Sequence, residues 1–165
     1  MPGGSAAGPP AVTAGVDIVS VARIDDLVRR WGDRFLRRLY TDREIAYCMA
    51  KTFPARSLAA RFAAKEAFFK AVAPLRPGGI DHKSIEVVTG RGGAPAIRPH
   101  GPATRALGSR VTSLRLSHAR EFAVALVVTS PGRPSRAPAP VRRGAANAGK
   151  GVAGPGPRAA RRRAR

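Results

Sequence analysis

Acidic side chains, cysteine and aromatic residues are scarce in this sequence of 165 residues. Ten Asp or Glu stand against thirty Lys or Arg, which gives a formal net charge of +20, and Cys48 is the only cysteine. A single cysteine excludes an internal disulfide and a cysteine-based metal cluster. Aromatic residues make up 5% of the chain, which disfavours a surface that binds nucleic acid by stacking bases.

Long apolar runs and phosphate-binding loops are also missing. The longest apolar run, FAVALVV at residues 122–128, is too short to span a membrane, and no basic segment followed by an apolar one indicates a signal peptide. The sequence contains no Walker or G-x-G-x-x-G loop, so it gives no support to an ATPase or a dinucleotide-dependent enzyme. We therefore expect a cytoplasmic protein.

Composition divides the chain into three parts. Residues 131–165 contain ten Lys or Arg and no acidic residue, which is half of the net charge, among many Pro, Gly and Ala. Such a segment buries too little apolar surface to offset its ordering entropy. We predict a flexible extension at residues 1–13, a folded domain at 14–130 and a disordered basic tail at 131–165. The tail either contacts nucleic acid nonspecifically or is merely solvated.

Hydrophobic periodicity and turn residues predict an α+β domain with a mostly antiparallel sheet packed against helices. A capping-box pattern at Thr41 and Glu44 starts the second helix. The predicted elements are a strand (Gly15–Val19), three helices (Val21–Trp31, Asp42–Lys51 and Leu58–Val72), two strands around Gly92 and Gly93, a short helix (Pro102–Leu107) and two final strands.

The predicted third helix carries a lysine within its apolar stripe. At about 100° per residue, Lys65 projects between Phe62 and Phe69, and Glu66 and Lys70 lie four residues apart on the adjoining face. A carboxylate between two ammonium groups suits a metal ion that holds a phosphate. The alternative is structural: Lys65 reaches solvent from a crowded core and Glu66 pairs with Lys70.

Two further polar residues end or interrupt apolar strands. Asp17 lies in the run AGVDIVSVA, where a buried carboxylate is costly unless it is paired or binds a metal. Two carboxylates suffice for Mg²⁺, which takes further oxygens from water and substrate phosphates, although Asp17 could instead cap the next helix. His118 ends the inward-facing series of a later strand, where either a structural or a catalytic role fits.

Three motifs occur in order between about Gly15 and Thr129: GVDIV with Arg23 in the next helix, RFAAKEAFFKA, and LSHAREFAVALVV. In this order and spacing they resemble the holo-[acyl-carrier-protein] synthase family, the small type of 4′-phosphopantetheinyl transferase. The resemblance implies transfer of the phosphopantetheine arm of coenzyme A to a serine of an apo acyl carrier protein, with release of adenosine 3′,5′-bisphosphate. It also implies a homotrimer with active sites at subunit interfaces and a role in fatty acid biosynthesis or a related pathway.

The resemblance also assigns site residues. Asp17 and Glu66 would bind Mg²⁺, and Arg23 would grip the acidic recognition helix of the carrier. The residues expected to act in catalysis are Lys65, Glu66 and His118, and those expected at coenzyme A are Lys65, Lys70, Gly93, Pro95 and His118. Lys65 would neutralise the pyrophosphate, and the base that accepts the serine proton is either Lys65 or a metal-bound water.

The sequence departs from the family pattern in three places. A Gly-rich stretch after the third helix is replaced by VAPLRPGGI, a hairpin lysine is replaced by Ala94, and Ala119 and Phe122 replace a Thr and a Tyr. We expect altered coenzyme A affinity rather than lost chemistry. A catalytically silent carrier-binding relative and a basic nucleic-acid-binding protein are the two alternatives. The presence of both carboxylates argues against the first, and the concentration of charge in the tail argues against the second.

Overall fold

In the computed structural model, the residues that can be described are 11–75 and 78–132, except for the side chain of Arg91. The expectations for residues 1–10 and 133–165 lie outside these ranges. The strands are β1 (Thr13–Ser20), β2 (Ile85–Thr89), β3 (Pro95–Pro99), β4 (Arg110–His118) and β5 (Phe122–Pro131). The α-helices are α1 (Val21–Leu39), α2 (Asp42–Met49), α3 (Pro54–Val72) and α4 (Pro102–Leu107), and short 3₁₀ turns lie at Ala73–Leu75, His82–Ser84 and Arg91–Gly93.

The strands form two antiparallel sheets. One has the order β1-β5-β4, and the other pairs β2 with β3. In the first sheet Asp17 lies opposite Ala125, and His118 lies opposite Ala123. The predicted α+β class is therefore confirmed, with its strands divided between two sheets.

Helix α3 is the centre of the fold and packs against β1, β5, α1 and α2. It begins at Pro54, one turn before the predicted start, because proline is well suited to the first helical position. Its closest neighbour is β1: a Cβ atom added to Gly15 would lie 2.1 Å from the carbonyl oxygen of Ala67. Glycine at this position therefore sets the distance between β1 and α3.

The cap of α1 settles one alternative for Asp17. The N-cap is Ser20, whose hydroxyl accepts a hydrogen bond from the backbone N–H of Arg23, so a capping role for Asp17 is wrong. The predicted end of this helix at Trp31 coincides with a break at Gly32, which has a φ of 48°, and the helix then continues to Leu39. The capping box of α2 is confirmed, with both Thr41 and Glu44 making their reciprocal bonds.

The outer face of the three-stranded sheet is exposed, and it is apolar mainly along β1 and β5. Side chains alternate across each strand, so the inner positions of β5 pack on α3 and the outer positions face away from it. The exposed large apolar residues of this face are Val16, Ile18, Val111, Phe122 and Leu126. The helices within the described ranges are all too short or too polar to cross a lipid bilayer.

Candidate active site

Both predicted metal ligands line one cavity. Asp17 from β1 and Glu66 from α3 both contribute to a cavity of about 600 Å³ that also contains Arg23 of α1. The alternation of β1 turns Asp17 toward α3, and Arg23 lies within the first turn of α1 that follows β1 directly. The residues predicted to bind the cation and the carrier thus line the same cavity. Asp17 and Arg23 are placed there by the junction of β1 and α1, and Glu66 by the middle of α3.

Asp17 is paired with a lysine. Its Oδ1 atom lies 2.8 Å from the Nζ atom of Lys70, which also donates a hydrogen bond to the carbonyl oxygen of Val16 at 3.0 Å. The Asp17 side chain is 16% exposed, whereas that of Lys70 is 54% exposed. The carboxylate is therefore fixed while the ammonium remains accessible to a ligand. A pairing of Lys70 with Glu66, the structural alternative, does not occur.

Glu66 has a different partner. Its Oε1 atom lies 2.7 Å from Nε2 of His82, a residue of the short 3₁₀ turn before β2. The ring of His82 stacks on Phe62, with ring centroids 5.7 Å apart and planes inclined by 10°. His82 also lines the 600 Å³ cavity. Its distance of sixteen residues from Glu66 explains why local sequence patterns do not predict the contact.

Lys65 lies away from this cavity. Its side chain is 0% exposed and forms an ion pair with Glu44, with 2.8 Å between Nζ and Oε2. Nζ also donates to the carbonyl oxygens of Leu39 at 2.9 Å and His82 at 2.7 Å. An ammonium has three hydrogens to donate, so all of them are used within the protein. The expectation that Lys65 neutralises a diphosphate is corrected accordingly.

The environment of Lys65 opposes its charge. Burial lowers the pKa of Lys65 from its ordinary value, and the charge and hydrogen bond of Glu44 act in the opposite direction. The direction is the one expected for a catalytic base, but the group reaches no solvent-filled space. Glu44 itself also accepts hydrogen bonds from the backbone N–H groups of Thr41 and Val87. The pair is therefore a structural junction between α2, α3 and β2.

The remaining predicted residues line a second cavity. Gly93, Pro95 and His118 border a space of about 240 Å³ together with Arg61 and Tyr47. This cavity shares no lining residue with the one that contains Asp17 and Glu66. The sequence-predicted site is thus divided into two parts within one chain.

Arg61 is a cation that the sequence analysis missed. It is 7% exposed, and its guanidinium carbon lies 4.1 Å from the ring centroid of Tyr47. Its Nε is the one buried side-chain N or O atom in the described part of the chain without a hydrogen-bond partner. Such a donor is costly to leave unpaired, and the arginine that carries it lines the second cavity. The motif RFAAKEAFFKA begins with this residue, which is the signal that could have identified it.

The profile of the 4′-phosphopantetheinyl transferase superfamily matches residues 13–127. The chain belongs to this superfamily. A holo-[acyl-carrier-protein] synthase of Koribacter versatilis is 44% identical over 117 residues, which cover 69% of this chain and 94% of the relative. The enzyme of the same name from Halothermothrix orenii is 44% identical over 124 residues, which cover 72% and 96%.

Solved structures with the same fold include complexes with coenzyme A. The complex from Chronobacterium ammoniagenes superposes with a TM-score of 0.64 at 27% identity and covers 75% of this chain and all of that one. The Helicobacter pylori holo-[acyl-carrier-protein] synthase complex gives 0.61 at 34% identity and covers 71% and 99%. The family predicted from the three motifs is confirmed, and the chain is a phosphopantetheinyl transferase.

The donor set of this transferase fits a hard divalent cation. Among the described residues, no three His, Cys, Asp or Glu side chains are grouped closely enough to enclose a metal. A site built from Asp17 and Glu66 alone therefore leaves most coordination positions open. This matches the behaviour of Mg²⁺, which keeps several waters and binds substrate phosphates with one or two protein carboxylates.

Proposed function

We propose that this transferase is a holo-[acyl-carrier-protein] synthase that depends on Mg²⁺. It moves the 4′-phosphopantetheine group of coenzyme A to a serine of an apo acyl carrier protein and releases adenosine 3′,5′-bisphosphate. The observation that carries the proposal is the shared cavity of Asp17, Glu66 and Arg23. It combines two carboxylates for a cation with one exposed arginine for an acidic partner.

Asp17 and Glu66 would hold the Mg²⁺ ion. When bound, the ion neutralises charge on the diphosphate and on the phosphoryl group that is transferred. Lys70 would have a second role, because its ammonium is 54% exposed and would be free to leave Asp17 if that carboxylate held a cation. It stabilises the negative charge that develops on the leaving group, which is the principal contribution that a protein makes to phosphoryl transfer.

The second cavity is proposed to hold the distal part of coenzyme A. Arg61 would offer its guanidinium, with its unpaired Nε, to a phosphate there, and Gly93 and Pro95 line the same cavity. His118 stands at the same wall. A charge-assisted bond to a guanidinium is among the strongest contacts available to a phosphate.

The serine proton does not go to Lys65. This lysine has no exposed surface and all of its hydrogens are engaged, so the carrier serine cannot reach it. Of the two candidates from the sequence, only a water molecule in the cavity fits this arrangement. The role of Lys65 is to hold α3 against neighbouring segments.

The carrier is proposed to bind along α1. Arg23 is exposed beside the cavity, and five further arginines of the same helix are exposed as well. These are Arg29, Arg30, Arg34, Arg37 and Arg38. Arg29 and Arg37 already pair with acidic residues of this chain, so Arg23 is the better candidate for a specific contact. Attraction between a basic helix and an acidic carrier raises the association rate and weakens with salt.

The homotrimer expected from the family is supported by two features. The apolar outer face of the three-stranded sheet needs a partner surface, and Val16, Ile18 and Leu126 are its most central exposed residues. Each of the two cavities is lined by only part of the predicted site. A second copy of the chain would supply the other part to each. We therefore propose that neighbouring subunits share each active site, in a cytoplasmic enzyme that serves fatty acid biosynthesis. Light scattering after gel filtration would reveal a monomer if this assembly is wrong.

Intact-mass spectrometry of an apo acyl carrier protein tests the main proposal. The carrier is incubated with the enzyme, coenzyme A and Mg²⁺, and we expect a mass gain equal to one phosphopantetheine group. The gain should vanish with EDTA and with Glu66→Gln, and should persist in Asp33→Asn, a matched change at a side chain that is 80% exposed. Carrier binding without any mass gain would instead indicate a catalytically silent relative.

A further inference from the structure

The contact between His82 and Glu66 is not explained by the fold alone. His82 lies on a short 3₁₀ turn, at the cavity wall, and directs Nε2 at Glu66 Oε1 over 2.7 Å. We propose that His82 is a positioning residue that orients Glu66 for the divalent cation. The inference rests on the proposed function, because it requires Glu66 to be a cation ligand.

The imidazole ring is fixed from two sides. Phe62 stacks on it, and Phe69 meets it edge-on with ring centroids 5.0 Å apart. Phe62, Glu66 and Phe69 follow one another at spacings of four and three residues, so they lie on one face of α3. The ring therefore fills a notch whose base is Glu66 and whose walls are the two phenylalanines.

The backbone of His82 is anchored as well. Its carbonyl oxygen accepts a hydrogen bond of 2.7 Å from Nζ of Lys65, the residue before Glu66. On the other side, Asp81 accepts a hydrogen bond of 2.7 Å from the backbone N–H of Ser84 and caps the turn. The buried Lys65 thus secures the segment that carries the histidine, and the histidine in turn contacts the carboxylate that lines the cavity.

The chemistry of the contact leaves one carboxylate oxygen free. An ionised carboxylate only accepts hydrogen bonds, so Nε2 of His82 carries the hydrogen and donates it to Oε1. Oε2 of Glu66 then remains for the cation. Hydrogen bonds of this kind fix the orientation of a metal ligand, and their removal typically lowers metal affinity about 10- to 100-fold.

The test measures Mn²⁺ binding by electron paramagnetic resonance in the presence of coenzyme A. His82→Phe keeps an aromatic ring in the notch but removes the donor, and we expect Mn²⁺ affinity to fall about 10- to 100-fold. His82→Gln can place an amide N–H near the position of Nε2 and should restore most of the affinity. His100→Phe is the matched control, because His100 makes a similar contact with Glu86 away from the cavity.

Steady-state kinetics separate positioning from general damage. In His82→Phe the KM for Mg²⁺ should rise, and saturating Mg²⁺ should recover most of kcat. His82→Leu provides a second donor-free variant if the phenylalanine variant does not fold. Unchanged Mn²⁺ affinity in a folded donor-free variant, or an equal loss in His82→Gln, would overturn the inference. If Glu66→Gln also leaves Mn²⁺ binding unchanged, the part of the proposed function that fails is the cation site of Asp17 and Glu66.

Discussion

Nζ of Lys70 lies 2.8 Å from Oδ1 of Asp17, so an ammonium occupies the carboxylate that is proposed to bind a cation. Lys70 is more than half exposed and Asp17 is mostly buried, which makes the lysine the mobile member of the pair. A cation held by Asp17 would compete with this ammonium for the carboxylate. Lys70 would then be available to contact a phosphate of the substrate.

Lys70→Met tests this exchange. Without coenzyme A, the variant should bind Mn²⁺ at least as tightly as the wild type, because no ammonium competes for Asp17. Its kcat/KM for coenzyme A should nevertheless fall on the order of 100-fold, the usual cost of one lost charge-stabilising donor. Lys83→Met, a change at an exposed lysine, is the control for both assays. Weaker Mn²⁺ binding by Lys70→Met would contradict the competition.

Glu44→Gln tests the buried pair. It leaves the ammonium of Lys65 without a counter-charge, and we expect a loss of about 3–5 kcal/mol in the free energy of unfolding at pH 7. The loss should shrink at higher pH. Burial lowers the folded-state pKa of Lys65 and Glu44 opposes this effect, so removal of the Glu44 charge lowers that pKa further. A folded state that binds fewer protons than the unfolded state gains stability as the pH rises, up to the unfolded pKa of about 10.4. In the variant this gain begins at a lower pH than in wild type, so the difference between the two proteins narrows.

The measurement is urea denaturation of both proteins between pH 7 and pH 10. Asp42→Asn is a suitable control, because Asp42 also belongs to α2 but its side chain is 88% exposed. A pH-independent difference between Glu44→Gln and wild type would show that Lys65 is not the group responsible.

Gly15→Ala tests the close packing of β1 on α3. The new Cβ would meet backbone atoms of Ala67 and Ala71 at 2.1 and 2.6 Å, and neither helix backbone atom can move freely. We expect a loss of about 3 kcal/mol or more in stability, together with lower activity because Asp17 moves with β1. Gly78→Ala, with open space around it, should leave the melting temperature nearly unchanged. Equal melting temperatures for the two variants would contradict this packing argument.

Asp81→Ala tests the cap that holds the turn of His82. Hydrogen bonds from Ser84 lower the pKa of Asp81 from its ordinary value of about 4. The bond from the Ser84 side chain has the largest effect. A carboxylate with a lowered folded pKa stabilises the protein above its unfolded pKa, and this contribution disappears as the pH falls through the folded pKa. The free energy of unfolding of wild type should therefore exceed that of the variant by about 1 kcal/mol at neutral pH. This difference should disappear below about pH 4.

Thermal unfolding from pH 7 to pH 2.5 checks the expectation. Asp26→Ala changes an aspartate of α1 whose side chain is 70% exposed, and its difference from wild type serves as the baseline. A stability gap for Asp81→Ala that persists unchanged at pH 2.5 would rule out the carboxylate as its source.

Local patterns were sufficient for most elements of the fold. Turn residues, capping signals and alternation predict β1, α2 and α4 closely, because these depend on residues near in sequence. The orientation of α3 was harder to predict from the sequence. Neighbours surround this helix on several sides, so periodicity alone could not show that Lys65 is buried while Phe62 and Phe69 are partly exposed.

The candidate site divides in the same way. The resemblance implies that Asp17 and Glu66 lie together although they belong to different motifs, and both line one cavity. The partners of those motif residues do not follow from it: Glu44 lies twenty-one residues from Lys65, and His82 sixteen residues from Glu66. Contacts at such separations depend on how the chain folds back on itself, which neither spacing nor composition determines.

The glycine contact between β1 and α3 has a consequence for how this enzyme can diverge. Asp17 and Glu66 lie on two elements that are in close backbone contact at Gly15 and Ala67, so backbone packing rather than loop structure sets their separation. One of the three departures from the family pattern lies in the sequence between α3 and the turn of His82, outside the contact of Gly15 with Ala67. Substitutions in that loop can therefore accumulate over evolutionary time while the separation of the two proposed cation ligands is retained.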